Sequence, residues 1–162
     1  MQVPNTNRAI RNLMEIIIDY NAIFAELQKG VKTHTNDYDY KVATLGVKLT
    51  LREINTIVIG TPRQTGKTDW AIRVIKKNPN ACIFYSNQFM YDQALMKGAD
   101  VNQLVHYKNT IANKSFPYTD FNLFILDSLK EENGKDAYEY LISILSLFDN
   151  EYRKNITILV LA

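Results

Sequence analysis

The stretch that decides the reading is Ile59–Trp70, IGTPRQTGKTDW. An apolar run, TIVIG over residues 56 to 60, leads into it, and GKTDWAIRVIKK leads out of it. A strand therefore runs into a short loop, and Gly66, Lys67 and Thr68 open a helix with Trp70, Ala71, Val74 and Ile75 facing inward. Each residue type has a chemical reason to stand there. Gly66 lets main-chain N–H groups approach an anion closely, and the helix start adds unpaired N–H donors and the positive end of a dipole. Lys67 brings a compact cation, and the Thr68 hydroxyl is a hard oxygen donor suited to a magnesium ion.

Outward from the loop, apolar strands alternate with helices. ACIFYSN (residues 81 to 87), QLVHY (103 to 107), FNLFILD (121 to 127) and NITILVLA (155 to 162) read as strands. QFMYDQALMKG and KDAYEYLISILSLFDN (135 to 150) read as helices, and KNTIANKSFPYTD as a polar loop. Strands that are continuous apolar runs are buried on both faces, which makes an α/β domain with a mostly parallel sheet of four or five strands. VKLTLREINTIVIG reads as the approach to the first strand. Before it, residues 5 to 29 carry apolar side chains at helical spacing (Ile10, Leu13, Ile17, Tyr20, Phe24, Leu27), with Asn5, Thr6 or Asn7 as the cap and Gly30 as the close. This helix is expected to pack on its own domain. Residues 31 to 46 read as a polar connector with short strands. The expected division is an N-terminal helix and connector over 1–46 and a core over 47–162.

The 162 residues suffice for one ordinary domain with a small extension. Nineteen Lys and Arg against 17 Asp and Glu exclude a polybasic arm and an acidic tail, but not a local basic patch. A single cysteine, Cys82, excludes a disulfide scaffold and a cysteine zinc ribbon. His34 and His106 stand alone and read as surface histidines. The scattered Lys76, Lys77, Lys108 and Lys114 read as a solvated face. No apolar run is long enough to span a bilayer, and the expected location is cytoplasmic.

The loop has the strand–loop–helix context of a Walker A motif, although Thr61 stands where a glycine is common and Gly60 lies one residue too early. Pro62-Arg63-Gln64-Thr65-Gly66-Lys67-Thr68 resembles the deviant Walker A of terminase large subunits, the DNA-packaging motors of tailed phages and herpesviruses. FNLFILD resembles their Walker B strand. The resemblance implies a three-layer P-loop NTPase fold of the ASCE/RecA-like kind, with the last strand between the phosphate-loop strand and the Walker B strand. It implies ATP and Mg²⁺ held by Pro62, Gln64, Thr65, Gly66, Lys67 and Thr68, with Thr68 and Asp127 on the metal. Arg63 would reach the γ-phosphate beside Lys67. It also implies double-stranded DNA as a partner, and a homo-oligomer or a portal protein.

The sequence departs from that family at one catalytic position. Terminases usually carry Glu after the Walker B Asp, and here Ser128 follows Asp127. Glu131 or Glu132 would have to supply the base, and the neighbouring strand ends in Ser86-Asn87-Gln88, without a carboxylate. The sequence stops at Ala162, where the family's Ser/Thr-rich coupling turn would begin, and the expected core lacks that part of the site and a nuclease domain. The first expectation is an ATPase powering DNA translocation. The second is a catalytically weak, terminase-like nucleotide-binding protein that regulates a partner. A small-molecule kinase is a third, with no lid or acceptor signature to support it.

Overall fold

Among the described residues, five apolar segments form one sheet in which every strand pair is parallel. The computed structural model describes residues 19–60, 66–112, 116–127 and 133–162. The strands are β1 (Thr56–Ile59), β2 (Ala81–Tyr85), β3 (Leu104–His106), β4 (Leu123–Asp127) and β5 (Thr157–Leu161), in the order β1-β5-β4-β2-β3. The last strand thus lies between β1 and β4, as expected. β2, β4 and β5 are buried at every position, which is why their sequences are continuously apolar rather than alternating.

The helices are α1 (Tyr20–His34), α2 (Tyr38–Leu45), α3 (Val47–Thr50), α4 (Lys67–Lys77), α5 (Gln88–Met96), α6 (Tyr107–Ala112), α7 (Gly134–Leu145) and α8 (Asn150–Arg153). They cover both faces of the sheet. On one face α1, α4 and α5 pack over Ile57, Ile59, Ile83, Tyr85, Ile125, Leu159 and Leu161. On the other, α7 and the segments around it pack over Cys82, Phe84, Phe124, Leu126, Ile158 and Val160. These two lists are the alternate residues of the same strands, so the pleat alone assigns each side chain to its layer.

α1 docks on α4 through aromatic contact. Trp70 is buried beneath Tyr20 and Phe24, with ring centroids 5.4 and 5.9 Å away, and its indole N–H donates to Asn21 Oδ1 at 2.8 Å. The expectation that the N-terminal helix packs on its own domain holds for these residues. Its limits do not. Asp19 is extended (φ −95°, ψ 91°) and caps α1 by accepting from the Ala22 N–H, so residues 5–29 are not one uninterrupted helix. At the other end the helix passes through Gly30 and continues to His34. The candidate caps Asn5, Thr6 and Asn7 lie outside the described residues.

Three further segments differ from the sequence reading. The connector is helical, forming the end of α1 and all of α2 rather than short strands. The approach to β1 is also helical: α3 runs into a π turn over Leu51–Asn55, and only Thr56–Ile59 is strand. Asn55 explains that turn. It is wholly buried, accepts from the Tyr38 hydroxyl at 2.8 Å, and donates to the carbonyls of Arg153 and Ile156. A buried amide satisfied on both ends fixes its backbone against local propensity. Finally, the expected strand over 103–107 is limited to Leu104–His106, and α6 takes Tyr107 and the first residues of the segment expected to be a polar loop.

Candidate functional site

All five strands point the same way, so one edge of the sheet collects their carboxyl ends. Parallel α/β sheets bind ligands at that edge. Here it carries Gly60, Ala162, Asp127, Ser86 and His106 in spatial order.

Gly66 caps α4 in the left-handed region (φ +82°), where a Cβ is disfavoured, although nothing stands within 4 Å of where one would sit. Glycine is required there by the turn and not by crowding. The turn delivers Lys67 and Thr68, both half-buried, as the first residues of α4. Lys67 reaches back over the sheet edge and donates from Nζ to the main-chain oxygen of Ala162 at 2.5 Å. Ala162 follows Leu161, the register partner of Asp127 on β4. The Ala162 N–H in turn donates to Ile59 O of β1 at 3.0 Å. The ammonium therefore stands at the tip of β5, one strand spacing, about 4.8 Å, from the strand that ends in Asp127.

Asp127 is only 4% exposed. It has the parity of Leu123 and Ile125, so its side chain is on the face covered by α1, α4 and α5, where Lys67 and Thr68 begin their helix. Tyr85, its register partner on β2, lies on the same face. The Tyr85 hydroxyl is buried with no hydrogen-bond partner among the described residues. Burial, and then the Asp127 carboxylate, push its pKa well up, so it stays a neutral phenol. Tyr85 carries no signal of its own in the sequence, lying in an apolar strand; only the pairing of the strand ends puts it beside Asp127.

Next along the edge, Ser86 is buried, and Asn87 is committed to capping α5 by accepting from the Met90 N–H at 2.8 Å. The end of β2 offers no carboxylate, in agreement with its sequence. His106 departs from the surface reading: it is 8% exposed at the end of β3. Its pKa is lowered by burial and by the Lys108 ammonium, against a smaller opposing pull from Asp92. Asp69, in the first turn of α4, pairs with Lys97 at 2.6 Å.

The structure thus brings Gly66, Lys67, Thr68 and Asp127 to one edge and one face. Pro62, Arg63, Gln64 and Thr65 lie outside the described residues, as do Ser128, Glu131 and Glu132. The donor set of Thr68 and Asp127 is a hydroxyl and a carboxylate. Both are hard oxygens of the kind Mg²⁺ accepts. No cluster of three His, Cys, Asp or Glu side chains suited to a metal occurs among the described residues, and no described helix is long and apolar enough to cross a membrane.

Comparison with protein-family models, with curated proteins and with solved structures finds no match.

Proposed function

We propose that the protein is a P-loop nucleotide-binding domain that binds ATP with Mg²⁺ at the carboxyl edge of its sheet and hydrolyses it. The observation that carries this reading is the reach of Lys67 from the glycine-capped start of α4 to the tip of β5, beside the strand that ends in buried Asp127. A lysine folded over the sheet edge next to a carboxylate is the charge pattern that a triphosphate and its metal need.

Lys67 exchanges the main-chain oxygen of Ala162 for phosphate oxygens when nucleotide binds. Main-chain N–H groups of the loop and the first turn of α4 hold the phosphates, and Pro62, Gln64 and Thr65 keep the loop roles that the resemblance gives them. Arg63 neutralises charge that grows on the γ-phosphate. Thr68 and Asp127 would hold Mg²⁺, which when bound neutralises phosphate charge. Glu131 takes the proton of the attacking water as its oxygen bonds to phosphorus and the bond to ADP breaks. The resemblance to terminase motors extends the proposal to double-stranded DNA as the load, moved by an oligomer or with a portal protein.

A second reading has its own support. Ser128 replaces the usual Glu, and β2 ends without a carboxylate, its Asn87 being used as a helix cap. A protein that binds nucleotide and turns it over poorly, regulating a partner, fits those two facts. ATP turnover measured with and without double-stranded DNA, and repeated in Lys67→Ala, tests both. DNA-stimulated turnover lost in the variant supports the motor. Nucleotide binding without turnover supports the regulator, and no nucleotide binding at all removes both.

A further inference from the structure

The carboxyl edge uses Lys67 and Asp127, yet two large cavities open at the opposite, amino edge of the sheet. One of about 540 Å³ lies between α1 and the starts of β4 and β5. Another of about 650 Å³ lies beside Phe121 and Tyr152, and the two share Asn80, Asn122, Asn155 and Ile156. Together they form one cleft wrapped around the amino ends of the central strands. Small-molecule sites commonly enclose about 300–1,000 Å³.

The lining divides the cleft by charge. Among the described residues, the first cavity is lined by Lys32 and Lys154 and by no acidic residue. The second is lined by Asp120 and Glu151 and by no ammonium. Lys154 pairs with Glu151 at 2.7 Å, which marks the junction. Two amides, Asn80 and Asn122, sit at that junction. Their main chains bond each other, Asn122 N–H donating to Asn80 O at 2.9 Å, while no side-chain hydrogen bond engages either amide among the described residues.

Thr157 supplies the independent observation. It opens β5, is 7% exposed, and lines the first cavity beside its register partner Leu123. Its hydroxyl has no hydrogen-bond partner among the described residues. The hydroxyl is not among the enclosed unpartnered polar atoms, so it opens onto the cavity, where it can donate to a ligand oxygen.

We propose that this cleft binds a small phosphorylated polyol, a sugar phosphate or a nucleoside monophosphate. The phosphate lies against Lys32 and Lys154 and accepts from the Thr157 hydroxyl. The polyol hydroxyls donate to Asp120 and Glu151, and the amides of Asn80 and Asn122 bond the middle of the molecule. Two ammonium groups suit a phosphate, and carboxylates suit hydroxyl donors. Phosphate alone fills only the cationic half, and an unphosphorylated sugar only the acidic half. The site is separate from the nucleotide site proposed at the other edge and does not depend on it.

The test uses the full chain carrying Lys67→Ala, so that the other edge does not compete. Ribose 5-phosphate, AMP, ribose and inorganic phosphate are titrated by calorimetry and by amide chemical shifts. Ribose 5-phosphate or AMP is expected to bind at least about tenfold tighter than phosphate or ribose, a difference of about 1.4 kcal/mol, and to shift Asn122 and Thr157. Tighter AMP names the nucleotide as ligand, and equal affinity names the sugar phosphate. Lys32→Gln, an exposed change that leaves the fold intact, is expected to weaken binding about fivefold or more, and Thr157→Val to weaken it about threefold or more while unfolding no earlier. The proposal is overturned if phosphate alone binds as well, if neither variant alters affinity, or if no shift arises at these residues at about 10 mM ligand.

Discussion

Replacing Tyr20 by alanine tests whether α1 is part of the folded body. Tyr20 is 6% exposed, and its ring stands 5.4 Å from that of Trp70. Truncating a buried aromatic to alanine costs about 3–5 kcal/mol, of which about 0.5–1.5 is the ring pair itself. Phe24 and Val31 still anchor the helix, which favours the lower half of that range, about 3–4 kcal/mol. With a urea dependence of about 2 kcal/mol per molar for a chain of this size, the midpoint falls by about 1.5–2 M. Trp70 is the sole tryptophan, so its fluorescence reports on this contact directly. In Tyr20→Ala the emission shifts to the red as water reaches the indole, and equilibrium urea melts followed by fluorescence and by far-ultraviolet circular dichroism both move. Asn21→Ala removes only the acceptor of the indole N–H and costs about 1–3 kcal/mol. A Tyr20→Ala protein with unchanged emission and a midpoint within about 0.3 M of the parent would refute the docking.

Three other outcomes follow from the same structure. Lys67→Ala weakens ATP binding about 30-fold: a charge pair at 4 Å near a protein surface is worth about 4 kcal/mol, and giving up the main-chain oxygen of Ala162 offsets about 2 of it; calorimetry checks this, and adenosine affinity should stay level. Arg153 is buried with its guanidinium on the carbonyls of Ser146 and Phe148 and on Asn150 Oδ1, so Arg153→Ala leaves several acceptors stranded and lowers stability by about 3 kcal/mol or more in a chemical melt. His106 has a folded pKa below its ordinary 6.5, so its contribution is fully present above that value and is lost as pH falls through the lowered one. A urea series from neutral to acid pH should therefore lose part of its slope in His106→Gln.

Some of this molecule could be read directly from residue order. ILVL and LFIL are apolar at every position because β5 and β4 are covered on both faces. Lys67 and Asp127 were legible as edge residues because strand ends in a parallel sheet fall on one side. The approach to β1 was not. Val47, Leu49 and Leu51 alternate like a strand, but Leu49 is 43% exposed and Leu51 is fully buried, and the turn is set by Asn55 through partners about a hundred residues away. The burial of His106 is hidden for a related reason: His106 pairs with Tyr85 across the sheet, which no local pattern encodes. Asp19 as a cap was hidden by apolar spacing that continues through it.

The central claim is that a triphosphate binds where Lys67 meets the tip of β5. Titrating the isotope-labelled protein with ATP and Mg²⁺, and following main-chain amide resonances, tests this at residue level. The largest shifts are expected on Gly66, Lys67, Thr68, Asp127 and Ala162, and in Lys67→Ala those at Gly66, Thr68, Asp127 and Ala162 are expected to need about 30-fold more nucleotide. Shifts confined to other surfaces, or none at millimolar nucleotide, would contradict it.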